Sequence, residues 1–330
     1  MPFGDKKNRL VTPFVPNSKI IFTLPLGMKM LTGKVVLSGP IVLASGTVPG
    51  TIMGEGAPTN LIKRIIVTAN PAAGSRYPGG KIVDCSPRSL LRYGIMQHNG
   101  KFIGEQSASV LGGGVNGTYP IYLSIPIYFA DCTLRNQVST ALNMDPGTYA
   151  SVQVEVDTGD ITSCLTGNNA VPNWSGLTVQ WVDDRVALPG DTNVRFQEDH
   201  TFLIAASQSR AFDQAMPQDG QFESWLFIQE QGAQATLSNS LLQRVQVDGD
   251  PITFDKYLQD IQQQMLDEEW VDPAQSFTGL AFIDWTDSTL ANTVKASTLQ
   301  TRFQVTNVSG ANLDDLLIYT RRVFPPRAAA

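Results

Sequence analysis

Apolar and polar residues alternate with a period of two along much of the chain. The clearest alternating segments are 20–24, 152–156, 178–182 and 303–305. In each segment one face is apolar and the other is more polar, as a half-buried antiparallel strand requires. Stretches rich in Gly and Pro, such as 46–58, separate these segments. We therefore predict a chain built mainly of β-strands, with Trp181 and Trp225 on core-facing strands.

Two segments have helical spacing of their apolar residues instead. The clearer segment covers about 253–269, with Thr253 as the predicted N-cap and Pro273 beyond its end. The shorter segment covers about 87–96 and begins with Ser86 and Pro87. The apolar stripe of the longer helix consists of Phe254, Tyr257, Leu258, Ile261 and Met265. Because neither polar face is basic, we expect both helices to pack against the protein's own sheets.

The chain contains an internal repeat. Residues 61–67 (LIKRIIV) align with residues 241–247 (LLQRVQV), and Leu, Arg and Val coincide at three of the seven positions. Each copy is followed by a predicted helix and then by further alternating segments in the same order. The paired segments are 19–25 with 200–206, 34–43 with 222–229, 119–130 with 276–286, 150–156 with 299–305, and 177–186 with 315–323. One β-sandwich plan is therefore predicted to occur twice.

This repetition predicts the following division of the chain. We expect an N-terminal arm at 1–18, a first sandwich at 19–186, a linker at 187–199, a second sandwich at 200–323 and a C-terminal tail at 324–330.

The composition fits a protein with real cores that touches its neighbours without strong charge repulsion. Hydrophobic residues make up 42% and charged residues 16% of the 330 residues, whereas about 25% is usual for charged residues. No apolar run reaches the ~18–20 residues of a membrane-spanning helix, and no secretory signal is recognisable. We expect Cys85, Cys132 and Cys164 to be free thiols, mostly buried, in a protein made in a reducing cytoplasm.

Basic residues concentrate at both ends of the chain. The first 19 residues contain four basic residues and one acidic residue, namely Lys6, Lys7, Arg9, Lys19 and Asp5. The last ten residues contain Arg321, Arg322 and Arg327. The formal net charge of the whole chain is −6, so the segment between these ends is acidic. Wrapping nucleic acid is therefore not expected. The basic ends are either ordinary solvated termini or contacts with an anionic surface.

The usual catalytic patterns are weak or absent in the sequence. Only His98 and His200 occur, which is too few for a two-domain metal enzyme of the cupin type and leaves little material for a serine hydrolase. The glycine-rich stretch 112–117 formally fits a dinucleotide fingerprint, but a strand and not a helix is predicted after it. We predict no cofactor and no enzymatic activity. Acidic clusters at 183–184, 198–199 and 267–269 leave a structural calcium ion or a glycosidase-like carboxylate pair as alternatives.

The repeated plan resembles the double jelly-roll major capsid proteins. Two consecutive eight-stranded antiparallel sandwiches, each with a flanking helix, are the architecture of this family in tailless, membrane-containing icosahedral phages of the tectivirus and corticovirus type. The plan extends to the adenovirus hexon. The segments that carry the resemblance are 60–67, 119–123 and 241–247, and the match covers about 19–323.

The resemblance implies a structural coat protein of the virion. Three copies would form a pseudo-hexameric capsomer, and such trimers would tile an icosahedral shell with neighbouring trimers, vertex (penton) proteins and minor capsid proteins. An internal membrane would lie beneath the shell, near the chain ends. Lys6, Lys7, Arg9, Arg321, Arg322 and Arg327 would then contact anionic lipid or a neighbouring subunit. A lectin-like or receptor-binding virion protein with tandem sandwiches, or a glycan hydrolase, are the competing interpretations.

Overall fold

The computed structural model describes 22 strands and two helices. The described residues are 6–43, 51–52, 60–96, 106–108, 117–130, 141–166, 173–187, 191–204, 209–214, 216–217, 219–231, 236–248, 253–268, 277–285, 294–295, 300–306 and 314–327.

The first half contains strands β1 to β12 and helix α1. In chain order these are β1 (Lys6–Pro13), β2 (Lys19–Leu24), β3 (Lys29–Leu43), β4 (Thr51–Ile52), β5 (Ile62–Pro71), β6 (Gly80–Cys85), α1 (Pro87–Met96), β7 (Gln106–Ala108), β8 (Gly117–Tyr128), β9 (Leu142–Asn143), β10 (Tyr149–Thr158), β11 (Leu165–Thr166) and β12 (Thr178–Val186). A 3-10 helix, Ile161–Cys164, precedes β11.

The second half contains strands β13 to β22 and helix α2. In chain order these are β13 (Val194–Ile204), β14 (Ser209–Gln214), β15 (Gln221–Gln231), β16 (Thr236–Leu237), β17 (Leu242–Asp248), β18 (Thr253–Tyr257), α2 (Leu258–Asp267), β19 (Leu280–Asp284), β20 (Val294–Lys295), β21 (Gln300–Thr306) and β22 (Asp314–Phe324).

Eight strands of each half form the two facing sheets of a jelly roll, in the same order. In the first half the sheets are β1-β12-β3-β8 and β2-β10-β5-β6; in the second they are β13-β22-β15-β19 and β14-β21-β17-β18. In each half the helix follows the fifth of these strands and precedes the sixth in the described chain order, α1 between β6 and β8 and α2 between β18 and β19. The prediction of a double jelly roll with one flanking helix per sandwich is confirmed.

The repeat seen in the sequence has the same pattern of burial in both copies. Leu61, Ile62, Ile65 and Val67 are buried on and before β5, while Leu241, Leu242, Val245 and Val247 are buried on and before β17. The arginine shared by the two copies makes the same contact in each. Arg64 on β5 pairs with Asp84 on β6, and Asp84 is the register partner of Ile66, two residues after the arginine. In the same way, Arg244 on β17 pairs with Asp255 on β18, and Asp255 is the register partner of Gln246, two residues after that arginine.

The two jelly rolls share one continuous sheet. β6, at the edge of the first roll, pairs in parallel with β13 of the second roll through Val83↔Gln197 and Asp84↔Glu198. The resulting ten-stranded sheet runs from β16 through β13 and β6 to β2. The strands of this sheet that belong to the first roll pack one face against the core of the first roll. The strands that belong to the second roll pack the other face of the sheet against the core of the second roll.

The second-roll part of that sheet is buried on both faces. On β22, Leu316 and Ile318 belong to the core of the second roll, whereas Leu317 and Tyr319 belong to the larger cluster that includes the first roll. Helix α1 lies at this junction, where Tyr93 stacks on Tyr319 with ring centroids 4.7 Å apart. Parallel strand pairing is normally covered on both faces, and here α1 supplies part of the cover.

Several predicted boundaries need correction. The residues of the predicted arm include strand β1 (Lys6–Pro13), which pairs with β12. The predicted linker 187–199 is wrong from Val194 onward, because β13 begins there, and the predicted tail begins one residue early, since β22 ends at Phe324. The predicted pairing of segment 19–25 with 200–206 is wrong, because the strand order makes β2 equivalent to β14 and β1 equivalent to β13.

The two helices differ in how well they agree with prediction. Helix α1 covers Pro87–Met96, as predicted. The predicted helix at 253–269 begins only at Leu258, because Thr253–Tyr257 forms strand β18 against β17. The N-cap is therefore Tyr257 and not Thr253. None of the helices that the structure describes is long and apolar enough to span a membrane.

Core tryptophans and one cysteine lie where the sequence predicts them. Trp181 and Trp225 are fully buried, and Cys85 is a buried free thiol whose pKa is raised by burial. Cys132 and the side chain of Cys164 lie outside the described residues.

Candidate functional site

The junction between the two rolls holds a buried ionic cluster. Arg195 on β13 donates from Nε and Nη2 to both carboxylate oxygens of Glu223 on β15, at 3.0–3.1 Å. Nε of Arg321 on β22 lies 2.9 Å from Oε2 of the same carboxylate. All three side chains are at most 4% exposed. Two guanidinium groups thus hold one carboxylate away from water, an arrangement that requires close geometry to offset desolvation.

The same cluster binds the first roll. Arg321 donates to the hydroxyl of Tyr93 on α1 and, through Nη2, to the carbonyl oxygen of Ala130 at 3.1 Å. Gln197 on β13 donates to the carbonyl oxygen of Tyr128 at 3.1 Å and accepts a hydrogen bond from the Tyr319 hydroxyl at 2.8 Å. The cluster therefore fixes the second-roll sheet against α1 and the end of β8.

A second contact fixes the start of α1. The backbone N–H of Ser86 donates to Oδ2 of Asp199 on β13 at 2.6 Å. Asp199 as a residue is half-buried, but its Oδ1 is shielded from solvent and has no hydrogen-bond partner among the described residues. Burial raises the pKa of this carboxyl to about 6, against the opposing effect of the hydrogen bonds from Ser86 and Ser89. Two residues after Ser86, Arg88 of α1 pairs with Glu230 on β15 at 2.9 Å.

The predicted contact residues at the C-terminus need correction. Arg321 is fully buried in the junction, so it does not reach a lipid or a neighbouring subunit. Arg322 is 4% exposed and pairs with Glu198 at 2.7 Å and with Asp219. Both arginines lie on β22, where carboxylates of adjacent strands hold them. The sequence shows the two charges but not their partners, which are distant along the chain.

The remaining predicted contact residues lie on or near the surface. Arg9 is exposed on β1 and donates to Oε1 of Gln180 at 2.7–3.0 Å. Arg327 is exposed, and its backbone N–H donates to the carbonyl oxygen of Arg76 at 2.8 Å. Lys6 and Lys7 are on β1, opposite Arg185 and Asp184 of β12, but their side chains lie outside the described residues.

The first and last described residues and the connection between the rolls lie at one end of the first roll. Arg76 in the β5–β6 loop pairs with Asp191 at 2.7 Å, and the hydroxyl of Tyr77 donates to the same carboxylate at 2.9 Å. These contacts hold the pKa of Asp191 below its usual value, the Tyr77 hydrogen bond most of all. Lys6, at the start of β1, pairs in register with Arg185 at the end of β12. Arg185 in turn pairs with Met30 at the start of β3, which lies at the same end of the roll. The structure therefore brings Lys6, Arg76 and Arg327 to one end of the molecule.

Two sheet edges carry exposed apolar side chains. β1 ends the six-stranded sheet and β18 ends the four-stranded sheet. Val11 on β1 is 53% exposed, and Tyr257 at the end of β18 is 56% exposed. Unpaired edge strands with apolar side chains are surfaces on which other chains dock.

The described residues that were considered for catalysis or metal binding make contacts within the fold. Asp183 accepts hydrogen bonds from Trp181 Nε1 and Arg185 Nε, both at 2.9 Å, inside the first roll. His200 lies 4.0 Å from Glu198, and burial lowers its pKa. Within the described part of the chain, no group of three or more His, Cys, Asp and Glu side chains is placed to hold a metal ion. His98 and residues 112–116 lie outside that part, while Gly117 begins β8 as the predicted strand.

Comparison with solved structures gives matches over nearly the whole chain. The MCP of STIV, Sulfolobus Turreted Icosahedral Virus, is 13% identical with a TM-score of 0.68, covering 98% of this chain and 97% of that one. This chain has the double jelly-roll fold of viral major capsid proteins. The Faustovirus major capsid protein matches with a TM-score of 0.60 at 10% identity, covering 99% and 91% of the two chains.

A bacteriophage protein also shares this double jelly-roll fold. The major capsid protein P2 from Bacteriophage PM2 matches with a TM-score of 0.59 at 9% identity, covering 98% of this chain and 100% of that one. No protein-family model and no curated protein matches the sequence. At these identities the likeness lies in the fold and not in particular side chains.

Proposed function

We propose that this protein is a major capsid protein, a structural subunit of an icosahedral virion shell without enzymatic activity. The observation that carries the proposal is the double jelly roll itself, shared over 98% of the chain with the MCP of STIV and over nearly all of the PM2 coat protein. The buried ion pairs around Glu223 agree with this role, because a shell subunit has to keep its two rolls at a fixed angle.

The finer part of the proposal is the assembly state. We infer a homotrimer whose six jelly rolls form a pseudo-hexameric capsomer, which packs against other trimers, vertex proteins and minor capsid proteins. The equal topology of the two rolls supports this, since three copies of two similar units approximate six equal units. Obligate oligomers of this kind commonly bury more than ~2,000 Å² at an interface.

Purified full-length protein tests the assembly state directly. Light scattering coupled to size-exclusion chromatography should give three times the chain mass, and negative-stain images should show hexagonal particles or closed shells. A protein that stays monomeric at every concentration and ionic strength tried would contradict the proposal.

The receptor-binding alternative is less well supported by the described aromatic residues. A sugar-binding platform needs exposed rings, but Trp181, Trp225 and Trp285 are at most 5% exposed, and Trp174 packs against the core of the first roll. Trp270 lies outside the described residues.

We further propose that the end carrying Lys6, Lys7 and Arg327 faces an anionic membrane inside the shell. Each basic residue near such a surface contributes about 1 kcal/mol. Arg76 lies at the same end, but its charge is paired with that of Asp191. Lys19 and Lys63 lie at the other end of the first roll. Strand β10 connects the two ends: its Asp157 pairs with Lys19, and its Tyr149 pairs with Pro71, close to the loop that carries Arg76.

Vesicle binding compares these two ends. The triple variant Lys6→Gln, Lys7→Gln, Arg327→Gln should sediment less with vesicles rich in phosphatidylserine than the wild type does. The control variant Lys19→Gln, Lys63→Gln, Arg64→Gln removes the same charge from exposed positions at the opposite end and should bind as the wild type does. Equal loss in both variants would mean that only net charge matters and would contradict a membrane-facing end.

A further inference from the structure

The backbone pairing between β6 of the first roll and β13 of the second, called the seam below, is short. Two register pairs form it, at Val83 and Asp84 of β6. The chain then leaves the sheet, because β6 ends at Cys85 and α1 begins at Pro87. Beyond the seam, side-chain contacts hold the start of α1 against the second roll.

Asp199 of β13 makes the contact at the point where the chain leaves the seam. Its Oδ2 accepts a hydrogen bond of 2.6 Å from the backbone N–H of Ser86. Ser86 is bound into the first turn of α1, because its Oγ accepts from the N–H of Ser89 at 3.2 Å and its carbonyl oxygen accepts from the N–H of Leu90 at 3.3 Å. Asp199 therefore holds the whole first turn of the helix through Ser86.

Several neighbouring elements place ionisable or polar groups around this carboxyl. Arg64 of β5, Cys85 of β6 and Tyr319 of β22 interact electrostatically with Asp199. At the start of α1, Ser86 and Ser89 contribute neutral hydrogen-bond donors. The carboxyl is thus shared between a strand of one roll and three elements of the other.

The other described carboxyl groups of the seam have arginine partners. Asp84 pairs with Arg64, and Glu198 pairs with Arg322. Glu198 and His200 flank Asp199 on β13, so their side chains point to the opposite face of the sheet. Among the described carboxyl groups at the seam, Asp199 is therefore the one held by hydrogen bonds instead of an ion pair.

The closed contact favours the neutral form of Asp199. Its Oδ1 is shielded from solvent and has no hydrogen-bond partner among the described residues, and a buried charge without full hydrogen bonding is costly. Burial accordingly raises the pKa of the carboxyl from 3.8 to about 6. If the contact opens, water hydrates the carboxyl and its pKa returns toward 3.8, so the closed contact binds the proton more tightly than the open one.

We propose that protonation of Asp199 controls whether the first turn of α1 stays closed against the second roll. With the proton bound, the turn stays closed; without it, the turn opens more often and water reaches the carboxylate. The closing effect is present at low pH and is lost as the pH rises through 6. The proposal goes beyond the coat function and does not depend on it, because every group involved belongs to one chain.

Hydrogen exchange of the full-length protein at pH 5 and pH 7 tests this proposal. After correction for the intrinsic exchange rate, the opening equilibrium constant of residues 86–93 should be about ten-fold larger at pH 7. This is the change that pKa values of 3.8 and about 6 impose on a linked equilibrium. Helix α2, which packs against β17, β18 and β19, is the internal reference and should show no such change. Light scattering establishes that the oligomeric state is the same at both pH values.

Three variants assign the effect to Asp199. Asp199→Asn does not titrate and should remove the pH dependence of residues 86–93. Arg64→Gln removes the cation that lowers the pKa of Asp199, so the midpoint of the change should move to higher pH. The Arg64 side chain is 47% exposed, and this variant keeps the test available if Asp199→Asn folds poorly. His200→Gln is the matched control and should keep the pH dependence of the wild type.

The thiol of Cys85 is an independent probe of the same opening. Cys85 directly precedes Ser86 and is 0% exposed in the closed contact, so opening of the turn uncovers it. Its alkylation rate, measured by peptide mass spectrometry and divided by the rate in the urea-unfolded chain at the same pH, should rise from pH 5 to pH 7 in the wild type. In Asp199→Asn this ratio should stay constant.

The outcomes that overturn the proposal are specific. An equal pH dependence of residues 86–93 in Asp199→Asn and the wild type would show that another group titrates. Loss of the pH dependence in His200→Gln would assign it to the histidine. An unmoved midpoint in Arg64→Gln, or a constant alkylation ratio of Cys85 in the wild type, would also contradict control of the turn by Asp199.

Discussion

The carboxylate of Asp199 in the second jelly roll accepts a hydrogen bond of 2.6 Å from the backbone N–H of Ser86, directly before helix α1 of the first. A negative charge near the N-terminus of a helix is favoured by the helix dipole and by the free N–H groups there. The same carboxylate interacts electrostatically with Cys85 and with Arg64, and the positive charge of Arg64 lowers its pKa. One roll thus caps the helix of the other through an ionisable group.

We predict that Asp199 makes the protein more stable as the pH falls from about 7 to 5. Its pKa is raised from 3.8 to about 6 in the folded state, so between about pH 4 and 6 the folded protein binds a proton that the unfolded chain does not. Stability from this group is therefore present at low pH and lost as the pH rises through 6, by roughly 1–3 kcal/mol.

The Asp199→Asn variant isolates this effect. Asn keeps an oxygen that accepts from Ser86 but does not titrate, so its advantage over the wild type in urea denaturation should be larger at pH 7 than at pH 5. A difference between the two proteins that stays constant, or grows toward acid, would exclude this role for Asp199.

Glu223 is predicted to be among the most sensitive positions of the junction. Replacing it with Ala leaves the guanidinium groups of Arg195 and Arg321 buried without the carboxylate that lies within 3.1 Å of both. Breaking a buried charge cluster in this way costs about 3–5 kcal/mol, which should appear as a large fall in the urea midpoint.

The control for Glu223→Ala is a carboxylate at the surface. Glu155→Ala removes the partner of Lys19, whose side chain is 63% exposed, and a surface pair of this type contributes at most about 1 kcal/mol. Similar losses in the two variants would show that the junction cluster does not hold the rolls together.

The duplicated plan can be predicted from the sequence because the alternation of apolar and polar residues within a strand is a local pattern. Burial at Leu61, Ile65 and Val67, and at the equivalent positions 180 residues later, follows directly from strand periodicity. The helix at Pro87–Met96 is also read from local spacing. In contrast, the sequence predicts an N-terminal arm where β1 lies, because the polar and basic residues of β1 do not show that β12 pairs with it.

The junction was not predictable for a related physical reason. Arg321 and Arg322 look like a solvated basic end, since nothing nearby in sequence neutralises them. Their partners reach them only through the folded sheet: Glu198 is 124 residues from Arg322, and Tyr93 is 228 residues from Arg321. A sequence shows that a charge exists, but the long-range contact that buries it depends on strand order.

Gly33 is predicted to be essential for packing in the first roll. It lies on β3, and a Cβ atom at this position would overlap the Cζ2 and Cη2 atoms of the Trp181 ring. Trp181 is fully buried and donates to Asp183 at 2.9 Å, so its ring has no room to move aside. Gly33→Ala should therefore destabilise the protein by about 1–3 kcal/mol, the usual cost of overpacking a core.

Gly147→Ala is the control, because nothing lies within 4 Å of a Cβ there. Melting temperatures compared with wild type decide the matter: a fall confined to Gly33→Ala supports the close packing of Trp181 on β3, and an unchanged value contradicts it.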